Sequence, residues 1–410
     1  MRVVVMRETV MKETPATRFG TSLGQSLLSL SFNLGGLLAG TLLALFFDVF
    51  SLAPWTLVLF PGILSIRGAI GGLFSGRLGT GLHLGTVRYS YTKNTRYFYL
   101  LQNAVVTLTF VSGIAIGLTT WIFSVVFWGA TMADFLNIAV VVVATMGLSL
   151  VLVSPLTIVI SVFSFRRGLD PDVIVYPVVS TVADILVTAC YVLCLSIFFS
   201  STALGYFLIG ALNLVFLSVV LYILAKNRQE KEFVKTIKEF LFTLICVVYI
   251  VNLTGSLLNQ LRNVIGARPE IYIVYPALID TTGDVGSIVG STATTKLALG
   301  TIGPTFSSIK QHKAEISSAW VASVVMFTFY SIISLLVCGM ATLGNLSWLA
   351  ARLLITNILA VSIMIAISYF VAMVTYRKGL DPDNFVIPIE SSLADSVTTI
   401  SLLTAVMLIA

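Results

Sequence analysis

Runs of about 20 apolar residues recur along almost the whole chain, and each is long enough to cross a bilayer as a helix. Within hydrocarbon every backbone polar group needs an internal partner, so a spanning segment must be helical or part of a closed barrel. A barrel would show segments of about ten residues with alternating hydrophobicity, and none is present. Composition points the same way. The chain is 57% hydrophobic and only 10% charged, against about 25% charged residues in a soluble domain. The expected fold is an all-α polytopic membrane protein. The net charge of +6 then reads as basic cytoplasmic loops in contact with anionic lipid, with the bilayer and not nucleic acid as the partner.

The hydropathy pattern predicts 11 membrane spans, at about 22–47, 53–85, 98–128, 135–164, 172–199, 203–225, 236–262, 270–302, 316–342, 346–374 and 385–409. Pro61 and Pro276 are expected to break the second and eighth. Basic residues mark alternate loops. Arg2, Arg7, Lys12 and Arg18 precede the first span, and Arg88, Lys93 and Arg96 follow the second. Arg166 and Arg167 follow the fourth, and Lys226, Arg228, Lys231, Lys235 and Lys238 follow the sixth. Lys310 and Lys313 follow the eighth, and Arg377 and Lys378 the tenth, while Arg262 and Arg268 are the exceptions. Excess Lys and Arg marks the cytoplasmic side. The N-terminus is expected in the cytoplasm and the C-terminus outside, across a cell membrane. The first twenty residues lack the short apolar core and small-residue site of a cleavable signal. Cys190, Cys194, Cys246 and Cys338 lie in apolar segments without metal-type spacing and read as core residues.

The chain also repeats itself. DPDVIVYPVVSTVADIL and DPDNFVIPIESSLADSV align at an offset of 211, pairing Asp170 with Asp381, Pro177 with Pro388 and Asp184 with Asp395. FPGILSIRGAIGGLFSGRLGTGLHLGTV and YPALIDTTGDVGSIVGSTATTKLALGTI align at an offset of 215. Asn33-Leu-Gly-Gly is echoed by Asn252-Leu-Thr-Gly. The expected organisation is a cytoplasmic segment 1–20, a five-helix repeat 21–200, a linker span and basic loop 201–233, and a second five-helix repeat 234–410. Five spans is an odd number, so the sixth restores orientation. The repeats are then parallel and related by a pseudo-twofold axis along the membrane normal.

An ionised carboxylate in hydrocarbon costs several kcal/mol unless it faces protein or water, so such residues are functional candidates. Asp184 and Asp395 lie about twelve residues, roughly 18 Å, into spans entered from the cytoplasm. Asp280 and Asp284 lie roughly 15 and 21 Å into a span entered from outside. All four fall near the midplane of a hydrocarbon core of about 30 Å. Asp280 and Asp284 share a helix face, and Glu390 adds an acidic group. The first copy has Ser65 and Ala69 in place of Asp280 and Asp284. The bland reading is an Asp that bonds a neighbouring helix or pairs with Arg67 or Lys296. Oxygen ligands suit Mg²⁺, Ca²⁺ or Mn²⁺, and both histidines (His83 and His312) fall near cytoplasmic ends. Mg²⁺ keeps most of its waters and binds through one or two carboxylates. Asp184 and Asp395, with Ser180, Thr181, Ser391 and Ser392 nearby, would suit such an ion. Gly68, Gly72 and Gly76 match Gly283, Ser287 and Ser291, a small-residue spacing that lets helices approach closely. The Asp-Pro-Asp turns at 170–172 and 381–383 read chiefly as helix caps.

On PGILSIRGAIGGLFSGRLGTGLHLG, on the segment from Asp170 to Asp184, and on their second copies, the sequence resembles the MgtE-type magnesium channel and transporter domain. It is most similar to the duplicated archaeal and eukaryotic solute-carrier forms. The resemblance implies a five-helix unit, paired as a homodimer in single-copy members and as one pseudo-dimer here, with a pore aspartate mapping to Asp184 and Asp395. It also implies Mg²⁺ as transported substrate, with Mn²⁺ or Ca²⁺ as alternatives. The family's Gly-Asn in the second helix is replaced, with Ala69 and Asp284 at those places. The large cytosolic regulatory domains of bacterial members have no counterpart in the roughly twenty-residue N-terminus.

The expected function is a divalent cation channel or transporter. A Na⁺- or H⁺-coupled exchanger is the alternative, as is a secondary carrier of a small organic solute. An enzyme is not expected. Gly283-Asp284 and Pro276-Ala277-Leu278 faintly resemble intramembrane aspartyl protease motifs, but that chemistry needs two Asp sharing a proton on neighbouring helices, which the duplication does not favour.

Overall fold

In the computed structural model, residues 15–408 are described apart from 84, 89, 91–92, 168–170, 201, 266–267, 299 and 380–382. The Asp-Pro-Asp turns lie outside them at Asp170, Asp381 and Pro382. Among the described residues the chain is helical throughout, with no strand. The helices are α1 (Pro15–Ser31), α2 (Gly36–Leu45), α3 (Phe47–Phe50), α4 (Pro54–His83), α5 (Arg96–Trp128), α6 (Met132–Arg166) and α7 (Pro171–Phe199). They continue with α8 (Ala203–Asn227), α9 (Lys231–Ile265), α10 (Pro269–Ala298), α11 (Lys313–Val337), α12 (Leu343–Arg377) and α13 (Asp383–Leu408). Short 3₁₀ turns at Phe32–Gly35 and Phe306–His312 lead into α2 and α11.

Eight segments are long and apolar enough to cross a membrane, so this is a multi-pass membrane protein. They are Phe19–Leu45, Pro54–Gly79, Arg96–Phe127, Met132–Arg166, Val178–Phe199, Ala203–Asn227, Phe306–Val337 and Leu343–Arg377. The helices α9, α10 and α13 run 35, 30 and 26 residues; among the described residues α9 and α13 hold shorter apolar stretches, Val247–Leu258 and Leu393–Leu408, and Asp280 and Asp284 interrupt α10. Pro61 and Pro276 do not end their helices: α4 and α10 continue through both. A proline inside a membrane helix is tolerated when neighbouring groups satisfy the carbonyl it leaves open. The first span is interrupted instead, by the 3₁₀ turn that holds Asn33.

Helix ends follow the local sequence, and several do so in matched pairs. Thr131 and Thr342, 211 apart in the chain, cap α6 and α12. Asp134 Oδ2 accepts from the Thr131 N–H at 2.7 Å, and Thr342 Oγ1 accepts from the Asn345 N–H at 3.2 Å. Beyond α4 and α10 the chain turns at Gly85 (φ 71°) and Gly300 (φ 65°), a left-handed conformation that glycine adopts without steric penalty. Val87 N–H then returns to Gly81 O at 2.9 Å, and Thr301 N–H to Lys296 O at 2.9 Å.

The helices pack into two compact units that do not follow chain order. Unit A is Leu38–Ile273; unit B is the chain up to Leu37 together with Val274 onward. In unit A, α9 packs on α4 and α5, although it opens the second half of the sequence. In unit B, α1 packs on α11, although it opens the first. Glycines make these approaches close. A Cβ on Gly255 would lie 1.9 Å from Val58 O, and one on Gly36 would lie 2.9 Å from Ala277 N. Gly36 and Gly255 are the last residues of the paired Asn-Leu-x-Gly segments. Each half of the sequence thus lends its first helix to helices of the other half.

In unit A, α8 is the most open spanning helix, with Leu204, Phe207, Leu214, Val215, Leu221 and Tyr222 exposed, as lipid contact requires. The free cysteines Cys190 and Cys194 are buried, as expected of core residues, whereas Cys338, at the C-cap of α11 in unit B, is only half-buried.

Candidate functional site

Unit B gathers the polar side chains of α10. Asp280 and Asp284 are half-buried and one turn apart, on one face of the helix. Asn33, buried in the 3₁₀ turn after α1, reaches that face. Its Nδ2 donates to Asp284 Oδ2 at 2.8 Å and to Thr281 Oγ1 at 3.3 Å. Thr281 Oγ1 meets Tyr330 OH of α11 at 2.7 Å. The 3₁₀ turn gives Asn33 this reach because Gly36, three residues on, seats the chain against the backbone of Ala277.

One further turn along the same face, Ser287 Oγ donates to Glu390 Oε2 on α13 at 2.6 Å. Glu390 is buried, and Gly286 makes room for it: a Cβ there would lie 2.8 Å from Ser368 Oγ and 3.5 Å from Glu390 Cδ. Asp395, also on α13 and buried, has Tyr275 within electrostatic reach. Gly283 lies against Ala394, its Cβ position 3.3 Å from the alanine methyl. The side chain of Ser391 lies outside the described residues.

Unit A places Asp184, buried, on α7, with Ser180 half-buried one turn before it. The face of α4 equivalent to that of α10 carries different chemistry. Ser65, Ile66, Arg67 and Ala69 stand where α10 has Asp280, Thr281, Thr282 and Asp284. Arg67 is buried at 3% exposure; its Nη1 reaches Thr109 Oγ1 at 3.5 Å and its Nε has no hydrogen-bond partner. Asn252, the counterpart of Asn33, donates to Thr119 Oγ1 at 2.8 Å and accepts from Thr120 Oγ1 at 2.5 Å. Gly68 has open space where a Cβ would stand, so close packing is not its role, unlike Gly283.

Lys296 is engaged at the far end of α10. Its Nζ lies 2.7 Å from Glu315 Oε1 and 3.1 Å from His312 Nδ1. His312 Nε2 faces Val289 O at 3.2 Å and Thr292 Oγ1 at 3.1 Å. A ring nitrogen facing a carbonyl must carry the proton and one facing an ammonium must accept, so the imidazole here is neutral. This cluster ties α10 to α11 and its preceding turn.

Among the described residues no three of His, Cys, Asp and Glu come together as a metal cage. The donors are single carboxylates flanked by hydroxyls and amides, an arrangement suited to an ion that retains its water. Sequence reasoning missed Asn33 as the partner of Asp284. Its signal was the repeated Asn-Leu-x-Gly, which marks the residue but not what it meets.

A family model described as MgtE, divalent cation transporter, matches residues 60–194 and again 275–405. Comparisons with curated proteins and with solved structures gave no match. The two matched segments contain the greater part of α7 with Asp184 and the greater part of α13 with Asp395.

Proposed function

Since the chain belongs to the MgtE family of divalent cation transporters, with a duplicated transmembrane domain, we propose that it carries Mg²⁺ across the cell membrane on Asp184 and Asp395. Asp280, Asp284, Ser180 and Ser391 complete the proposed set of ligands. One observation carries this reading. Buried aspartates stand at equivalent places of α7 and α13, each inside a segment that matches the family. A buried carboxylate in a membrane helix needs protein, water or a cation for company. The oxygen-only donors favour Mg²⁺, Mn²⁺ or Ca²⁺ over softer metals, and binding through one or two carboxylates suits Mg²⁺, which sheds water reluctantly.

In this reading α9, α10 and α13 join the eight apolar segments to make 11 spans, in two parallel five-helix repeats linked by α8. One chain then does the work of a dimer. The N-terminus lies in the cytoplasm, in keeping with Lys226, Lys231, Lys235 and Lys238 around the α8–α9 corner. An inside-negative potential contributes roughly 2.3 kcal/mol per charge per 100 mV, doubled for a divalent ion, so passive entry suffices.

The test is Mg²⁺ uptake into proteoliposomes by Asp184→Ala and Asp395→Ala. Each should lower uptake by roughly a hundredfold, about 2.7 kcal/mol of lost stabilisation, while the protein still reaches the membrane. Uptake by the double variant at the wild-type rate would remove both residues from the ion's path.

A further inference from the structure

Among the buried charged residues to which the transport reading gives no task is Glu390. Glu390 is 1% exposed and sits within an α-helix that the transport reading puts inside the bilayer. The first copy has Val179 at the equivalent place. A valine there would serve packing equally well, so the carboxylate needs a reason of its own.

Its surroundings supply one. On α10, Asp280, Asp284 and Ser287 lie at i, i+4 and i+7, a single stripe descending the helix in steps of about 6 and 4.5 Å. Ser287 holds Glu390 Oε2 at 2.6 Å, so Glu390 docks at the foot of that stripe, within electrostatic reach of Asp284. Glu390 Oε1 and Ser368 Oγ flank the notch left by Gly286 and both are buried; the Ser368 hydroxyl is the donor within reach of the carboxylate there, and the contact falls short of full hydrogen-bond geometry. A buried carboxylate oxygen met by one serine hydroxyl at poor geometry keeps acceptor capacity for a cation, because an under-satisfied polar atom at this depth is costly. Asn33 holds Asp284 Oδ2 at 2.8 Å, whereas Glu390 Oε1 keeps acceptor capacity beyond its serine neighbour.

We infer that Glu390 is a further cation-contacting residue, the next station below Asp284 on α10 in unit B, with Ser287 and Ser368 orienting its carboxylate. This inference rests on the transport reading and deepens it. The route is then asymmetric between the halves of the sequence, since Val179 and Gly72 replace Glu390 and Ser287 in the first copy.

The competing role is a strut, in which Glu390 merely links α13 to α10 and α12. Glu390→Gln separates the two, because the amide keeps hydrogen-bonding capacity and loses the charge. Mg²⁺ uptake into proteoliposomes should fall roughly tenfold with a raised half-saturating concentration, and Glu390→Asp should restore part of it. Wild-type uptake and half-saturation in Glu390→Gln would overturn the inference. Asp395→Asn serves as the reference: if it transports normally, the transport reading fails on its own account, whatever Glu390→Gln does. A measurement on the unaltered protein guards against misfolding of the variant. Labelling of Glu390 by a hydrophobic carbodiimide, read by mass spectrometry, should be slowed by Mg²⁺ but not by K⁺ at matched ionic strength. Equal labelling in both salts would also overturn it.

Discussion

Two helices of this molecule began as copies and now carry opposite charge. On α10 the stripe is Asp280, Thr281 and Asp284, met by Asn33; on α4 it is Ser65, Ile66 and Ala69, with Arg67 beside them. The surrounding scaffold has diverged less. Both helices end on a left-handed glycine and receive a glycine-bearing helix from the other half of the sequence. A homodimer built from a single copy cannot make this choice, because every substitution appears twice. In the single-chain pseudo-dimer proposed above, one unit can concentrate negative charge while the other holds a buried cation. The lesson is that packing positions and charge positions evolved under separate constraints on the same helix.

The comparison can be broken most forcefully at the packing positions. Gly255→Ala places a methyl 1.9 Å from a backbone oxygen, and overpacking of this kind costs about 1–3 kcal/mol or more. The melting temperature of the detergent-solubilised protein should drop sharply. Gly68→Ala meets nothing within 4 Å and should hold or gain up to about 1 kcal/mol from helix propensity. Equal effects at the two sites would mean that shared packing is not what the copies preserve.

A middle-sized effect is expected at the paired asparagines. Asn33→Ala removes the amide from Asp284 and Thr281, worth about 1–3 kcal/mol for a bond to a charged acceptor, and should shift the Mg²⁺ dependence of uptake. Asn252→Ala loses bonds to Thr119, Thr120 and the Val248 carbonyl and should lower the melting temperature while leaving that dependence in place. Matching shifts in both variants would erase the functional distinction between the units.

The smallest effect belongs to Arg67. Replacing a buried charge that lacks a close partner with an apolar residue of similar volume is often neutral or stabilising. Arg67→Met should therefore change stability by no more than about 1 kcal/mol in the unfavourable direction, checked by the same melting assay. A large loss would show that Arg67 does structural work beyond its 3.5 Å contact with Thr109.

Much of the fold was legible because hydrophobicity and capping are local. The apolar runs announce α4 to α8, α11 and α12, and the glycines and threonines announce where several of them stop and start. The helix α10 is less apolar for the same reason that makes it interesting: Asp280 and Asp284 dilute the signal. The prolines misled, since Pro61 and Pro276 sit inside continuous helices. What the sequence concealed was partnership. Nothing local says that Asn33 bonds to a residue about 250 positions away, because that contact exists only once α1 has joined the second half of the chain.

That exchange imposes an order on biogenesis. About 280 residues separate the end of α1 from the start of α11, the helix it packs against. At roughly 5–20 residues per second, the ribosome needs from about 15 s to nearly a minute to deliver that partner. The earliest segment must therefore wait in lipid with its Gly36 notch and Asn33 amide open, and a chaperone-like insertase or the nascent neighbours must shelter it until the second half arrives.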